Sequence, residues 1–449
     1  MYFMLFSRKD LMRIILPLFA EQILAVTVGM VDSMMVSSAG EAAVSGVSLV
    51  DSINLLLIYI FSAFGAGGAV VCSQFMGKKD YPAARTAAKQ LIYSVVAVST
   101  LVSIFALVFR TSLLKLIFGA IELDVLENAK VYFLFTALSF PFIAIYNSGA
   151  AIFRSMGNSK VSMFSSIVMN TINIGGNALL IYKFKMGAAG AAIATLFARF
   201  VGSMIMMVLV RNKNNPIYIE HLLKVKLNFP IIKRIMGIGL PSGLENGMFH
   251  IGKLITQSII SMFGTAAIAA NSVASHLASF QYSAGTAVSL ATVTIVGQCI
   301  GANDKVQARK YAVKLMKIAY TAVIIISVLF SILAKPLIGL YNLSPEATKT
   351  AFTLILIHNA FTATIWPCAF TITNSFRAAS DVRYPMTISI ISMWVFRVGC
   401  SWLFALAFNL GVLGVWFAMF TDWAFRAIVF IIHFLRGKWL DKYKPLETN

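Results

Sequence analysis

Long runs of apolar side chains, separated by short polar gaps, follow one another from end to end of the chain. A helix needs about 20 apolar residues to cross roughly 30 Å of hydrocarbon. Runs of that order occur near 11–38, 44–71, 90–109, 130–152, 161–183 and 187–210. A second set follows near 235–262, 266–298, 312–334, 350–376, 384–407 and 411–435. Short alternating segments of the kind that build a membrane barrel are absent, and backbone groups in lipid must bond within their own segment, so helices are the predicted spanning element. The pattern predicts an all-α integral membrane protein of twelve transmembrane helices. The first apolar run, Leu11 to Val36, is too long for the core of a signal peptide and lacks an obvious cleavage site, so it is read as a span.

The two sets of six are related by an internal repeat with a period of about 224 residues. Leu16-Pro17 with Glu21 reappears as Leu240-Pro241 with Glu245. Gly77, Asp80, Ala84 and Arg85 return as Gly301, Asp304, Ala308 and Arg309, and Gly187 and Gly190 return as Gly411 and Gly414. Phe153-Arg154 returns one residue out of step as Phe376-Arg377. Each half has an even number of spans and starts on the same side, so the repeats are parallel, an architecture of transporters that work by alternating access. The predicted lobes are 1–210 and 235–449, the second with a cytoplasmic tail. They are joined by a cytoplasmic linker over 211–234, whose Asn214-Asn215-Pro216 lies in the longest polar segment.

Composition agrees with lipid as the solvent: 59% of residues are hydrophobic and 12% are charged, against about 25% charged in an ordinary soluble chain. The net charge of +20 comes from 37 Lys+Arg against 17 Asp+Glu. The basic residues gather in alternate gaps, as the positive-inside rule requires, so they orient the chain and give no support to nucleic-acid binding. Both termini are expected in the cytoplasm, with the Glu122, Asp124 and Glu127 loop outside, in a plasma (cytoplasmic) membrane. Cys72, Cys299, Cys368 and Cys400 form no CxxC pair and are read as structural. No HExxH, no GxxxxGK[ST] and no nucleophile–base constellation occurs, so neither a metal centre, an ATP-binding loop nor catalysis is expected, and no cofactor.

Charges retained inside spans cost about 2.5–3.5 kcal/mol on insertion scales and therefore usually do something. They are Glu21 and Asp32 in the first span, Asp51 in the second, Glu245 and Lys253 in the seventh and Arg397 in the eleventh. Arg199, Asp422 and Arg426 fall nearer the predicted helix ends, where snorkelling or local pairing is the ordinary explanation, favoured here for Arg426. Asn173 and Asn177 share a face of the fifth span. At about 1.5 Å per residue, Asp32, Asn177 and Thr195 all lie roughly 10–12 Å below the outer surface. One carboxylate, amide oxygens and a hydroxyl at one depth suit a monovalent cation, a protonatable carboxylate with partners, or an interhelical polar clamp. The repeat is broken here: Thr256 stands opposite Asp32 and Arg397 opposite Asn173, so the second half is cationic where the first is anionic. Pro17 and Pro241 remove one helical N–H each just before a glutamate, making either hinges or static kinks.

Taken together, Val31-Asp32, Ser73-Gln74-Phe75-Met76-Gly77 with Asp80 and Ala84-Arg85, Phe153-Arg154-Ser155-Met156-Gly157-Asn158, Asn173 and Asn177, and Met186-Gly187 through Gly190 to Thr195 resemble the multidrug and toxic compound extrusion (MATE) family over essentially the whole chain. The resemblance implies two V-shaped six-helix lobes around a central cavity. It also implies export of small organic, often cationic or amphipathic, compounds by antiport against Na+ or H+. It assigns the cation site to Asp32, Asn173, Asn177 and Thr195, and leaves Glu21, Asp51, Glu245, Lys253 and Arg397 as substrate or coupling residues. Many members of one branch carry an aspartate where this chain has Asn177, so a single carboxylate remains. The partners expected are the substrate and the bilayer, with a monomer assumed. A flippase for a lipid-linked substrate of the same superfamily, or a membrane scaffold without transport, are the alternatives; such flippases usually have fourteen spans.

Overall fold

The computed structural model describes residues 5–119, 122–222, 224–341 and 343–445; the two chain ends, 1 and 449, lie outside them. The first six spans are α1 Arg8–Ser37, α2 Glu41–Gly77, α3 Tyr81–Phe118, α4 Leu123–Leu138 with Phe140–Ser155, α5 Ser159–Lys183 and α6 Gly187–Val210. The second six are α7 Phe229–Ser261, α8 Thr265–Gly301, α9 Lys305–Ile332, α10 Pro345–Thr364 with Pro367–Ala378, α11 Arg383–Ala407 and α12 Gly411–Arg436. Nine of these are long and apolar enough to cross a membrane as single helices, and the two bent pairs bring the number to eleven. Helix α7, with 33 residues, is the remaining expected span. It is long enough, and it carries Glu245 and Lys253 within its length.

The repeat is written into the backbone as well as the sequence. Left-handed residues recur at matching places: Gly40 and Gly264, Lys79 and Asn303, Lys185 and Asn409, Gly187 and Gly411. Gly157 is matched by Ser380, with the same single-residue slip as Phe153 and Phe376. Asp80 caps α3 by accepting from the Ala83 N–H at 3.1 Å, and Asp304 caps α9 by accepting from the Gln307 N–H at 2.9 Å. The bent spans α4 and α10 are also repeat partners, kinked by 44° and 55°. Pro141 and Pro367 sit just past the breaks and remove the N–H groups that would have continued the first segment. Pro17 and Pro241, by contrast, lie inside unbroken helices.

Packing groups the chain into two compact units, Ile23–Gly243 and Met1–Gln22 with Leu244–Asn449. The chain passes between units within α1 and α7, a few residues beyond each proline. In the second unit, Leu11, Ile14, Ile15 and Leu18 of α1 are buried in a core with Ile295 of α8, Leu315 of α9, Phe376 of α10 and Phe430 of α12. The covalent repeat, halved at the linker, and the packing units are therefore different partitions of one chain. The most enclosed span is α8, with 83% of its most apolar stretch buried, followed by its repeat partner α2 and by α12 at 56% each.

The first unit also holds the linker. Ile217 and Ile219 are buried. Arg85 of α3 donates to the Pro216 carbonyl at 3.1 Å and to the Tyr218 hydroxyl at 3.0 Å, with its guanidinium 3.9 Å from the Tyr218 ring. Lys89, Gln90 and Tyr93 donate to the carbonyls of His221, Lys226 and Leu222. A segment that reads as merely polar is thus fastened to α3 through its main chain. At its surface Lys213 and Glu220 pair at 2.7 Å; their hydrogen bond raises the ammonium and lowers the carboxyl from their ordinary values.

Helices α2 and α7 meet in this unit backbone to backbone, as small residues allow in membrane packing. A Cβ added at Gly67 would lie 2.7 Å from the Ile235 carbonyl oxygen and 2.8 Å from the Gly239 nitrogen. Main-chain atoms cannot step aside as a side-chain tip does. Gly67→Leu is therefore expected to cost about 1–3 kcal/mol or somewhat more, read as a lowered melting temperature of the purified protein. Gly175→Ala, with nothing within 4 Å of the new atom, serves as the control, and equal melting of both variants would refute the close contact.

Candidate functional site

Four side chains from three helices of the first unit converge near the end of α1. Asp32 projects from the last turns of α1. Asn177 ends the α-helical part of α5 at the point where it loosens into a π-turn, Ala178–Lys183; such turns are frequent at functional sites because they redirect side chains. Gly176 lets α6 approach α5 so closely that a Cβ there would lie 2.9 Å from the Ala194 Cβ, which brings Thr195 opposite Asn173. The Asn177 amide donates to Asp32 Oδ1 at 2.8 Å. Hydrogen-bond complementarity orients the Asn173 amide so that its nitrogen donates to both Asp32 oxygens at 2.9 Å, while its oxygen accepts from the Thr195 hydroxyl at 3.1 Å. Asn177 Oδ1 is buried without a hydrogen-bond partner. The four residues singled out from sequence thus form one connected set, and Asp32 remains partly accessible.

A second polar layer lies beyond it. Asp51 of α2 accepts from the Tyr132 hydroxyl of α4 at 3.0 Å and from the Asn54 amide at 3.3 Å. Arg199 of α6 donates to the Ser139 hydroxyl at 2.7 Å, at the break of α4. Arg199 is within electrostatic reach of both Asp32 and Asp51. Two carboxylates and one guanidinium leave a single negative charge when all are ionised, the charge one monovalent cation or one proton would neutralise. Sequence reasoning singled out Asp51 without its partners. Tyr132, Asn54 and Ser139 carry no signal in the sequence, and Arg199, expected nearer a helix end, lies in the middle of α6.

The remaining charged positions belong to the second unit. Glu21 is buried, in the part of α1 that packs there. Glu245 of α7 pairs with Arg377 of α10 at 2.7 Å. Asp422 of α12 is fully buried, accepting from Arg426 Nε at 2.7 Å and from the Ser392 hydroxyl. Arg426 also donates to the Ser389 carbonyl at 3.1 Å and is 2% exposed, so it pairs locally and does not snorkel; it lies mid-helix and faces protein. Arg397 Nη1 is 3.7 Å from Asp422 Oδ2. Lys253, one residue after the close contact of Gly252 with Met393, is exposed within the span.

Comparison with known proteins bears on the fold and its repeat. The MatE family model matches twice, over residues 17–179 and 241–403, once in each half of the repeat and starting at the paired prolines. YisQ of Bacillus subtilis (strain 168), an uncharacterized transporter, is 29% identical over 438 residues, spanning 95% of this chain and 94% of its own. A probable multidrug resistance protein, NorM of Thermotoga maritima, is 26% identical over 442 residues, spanning 96% and 93%. Among solved structures, the outward-facing conformation of a multidrug resistance MATE family transporter superposes with a TM-score of 0.90 at 20% identity, covering 97% of this chain and 96% of the other. With both halves matched and the twelve-helix fold shared end to end, the chain belongs to the MatE family of multidrug and toxic compound extrusion transporters.

Proposed function

We propose that this chain is a secondary antiporter that exports small organic, amphipathic compounds in exchange for Na+ or H+ by alternating access, and that Asp32, Asn173, Asn177 and Thr195 form its coupling-cation site. The observation that carries the reading is the Asp32 carboxylate. It is held by two amides inside a span, partly accessible, and bonded to no cationic side chain among the described residues. A carboxylate kept at that depth without a bonded counter-charge usually serves an ion or proton pathway. The unpartnered Asn177 oxygen adds a hard donor of the kind alkali cations take. The Asp51–Tyr132 pair and Arg199 tune the charge of the same region. Pro17 and Pro241, each just before the chain changes packing unit, support their reading as hinges. The basic gaps support an orientation in the cytoplasmic membrane with both termini inside.

The test is efflux of fluorescent organic compounds from proteoliposomes under imposed Na+ or H+ gradients. Efflux driven by one gradient and not the other identifies the coupling ion. Efflux indifferent to both gradients, and equal to that of empty liposomes, would overturn antiport for the compounds used.

A further inference from the structure

The second unit holds an excess of positive charge that the antiporter reading leaves unused. Phe249 and Lys253 lie one turn apart on α7 and share a face. The Arg397 guanidinium sits 5.4 Å from the Phe249 ring, and that of Arg426 is 5.6 Å from the same ring and 5.4 Å from Phe370. Gly252 packs against Met393, one turn before Arg397 on α11, which brings Lys253 within electrostatic reach of Arg397. Arg397 and Arg426 therefore share one anion, Asp422, with Lys253 a third cation beside Arg397, and Asp422 is already committed to Arg426 at 2.7 Å. At 3.7 Å its contact with Arg397 is too long for a hydrogen bond. Arg397 Nε and Asp422 Oδ2 are both buried without hydrogen-bond partners. The Lys253 ammonium has no hydrogen bond or ion pair among the described residues, and the side chain is exposed at roughly 12 Å from the end of α7.

A net excess of two positive charges at this depth calls for a counter-charge that no described residue supplies. Resting on the antiporter reading, we infer that Lys253 and Arg397 bind the anionic group of the transported compound, a carboxylate or phosphate carried on an apolar, preferably aromatic, body. The guanidinium offers a planar fork that matches either group, and the lysine offers a mobile point charge beside it. Phe249 and Phe370 provide the apolar surface for the body. The Asp32 region, with its opposite charge, remains for the coupling cation.

Binding to the purified full-length chain in neutral micelles tests this without requiring transport. Two probes share one fluorophore: dansylglycine carries a carboxylate and dansylcadaverine an amine. Wild type is expected to prefer dansylglycine, and Lys253→Met to weaken it about tenfold, the worth of one charge-assisted hydrogen bond. Lys253→Arg should retain it, and neither variant should weaken the amine. Lys253 is exposed and unpaired, so both variants are expected to fold, which size-exclusion profiles check. Adding phosphatidylglycerol or phosphatidylcholine to the micelles separates sources: displacement by the anionic lipid alone, lost in Lys253→Met, assigns the site to a headgroup. Binding undisturbed by lipid assigns it to a soluble organic anion. Equal dansylglycine binding by wild type and Lys253→Met, or tighter binding of the amine by wild type, overturns the inference. The antiporter reading would survive either result if an ion gradient still drives efflux.

Discussion

Asp32→Asn is expected to abolish gradient-driven efflux, by at least about a hundredfold, in a protein that still folds. The replacement keeps the shape of the side chain and removes its charge. In the native site the carboxylate accepts from Asn177 at 2.8 Å and from Asn173 at 2.9 Å. An amide at position 32 can accept through one oxygen only and turns an NH2 group towards other donors. That conflict costs about 1–3 kcal/mol locally, tolerable for a twelve-span protein. The effect on the ion is larger. With Asp32 neutral, Asp51 and Arg199 balance one another, no net negative charge remains, and nothing attracts or releases a cation. Losing two charge-assisted contacts at about 1.5–3 kcal/mol each corresponds to two or more factors of ten. The measurement is efflux from proteoliposomes under whichever gradient drives wild type, paired with exchange of labelled compound at equilibrium. Exchange should persist in the variant while driven efflux disappears. Full gradient-driven efflux by Asp32→Asn would remove Asp32 from coupling, whatever its hydrogen bonds.

How much of this was open to inspection in the sequence differs between spans and partners. Lipid demands a long apolar run for every crossing, and the runs end where basic gaps begin, so most helices fall within several residues of their expected positions. Depth was legible for the same reason. A constant rise per residue places Asp32, Asn177 and Thr195 at one level, and these residues do join in one set. The neighbours that meet across helices were not legible, because no period links Asp51, Tyr132 and Arg199 along the chain. The i,i+4 spacing of Asp422 and Arg426 was visible, and of the two ordinary explanations favoured for Arg426, snorkelling and local pairing, the structure holds the pairing. The packing of Leu11 to Leu18 with Phe376 and Phe430 was beyond reach too, since a covalent repeat says which residues correspond and not which ones touch.

Asp422→Asn should destabilise the protein by about 3–5 kcal/mol, the range for breaking one side of a buried ion pair. Asp422 is 0% exposed and is the anion bonded to Arg426; Arg397 lies 3.7 Å away, and both guanidiniums face the ring of Phe249. Take away the carboxylate and two like charges face one aromatic ring with no counter-ion. Removing one cation at the same time relieves the conflict. Asp422→Asn with Arg426→Met should therefore recover much of the loss, because a buried ion pair replaced by neutral groups of similar volume is often close to neutral in stability. Thermal melting of the four proteins of this cycle gives the coupling directly. If Asp422→Asn melts with wild type, the guanidiniums are compensated by something other than Asp422, and the charge excess inferred around Lys253 and Arg397 loses its basis. If the single variant is strongly destabilised and dansylglycine partly restores its melting temperature, the carboxylate of the probe is acting where the carboxylate of Asp422 acted. Structural and binding measurements then report on the same excess of positive charge.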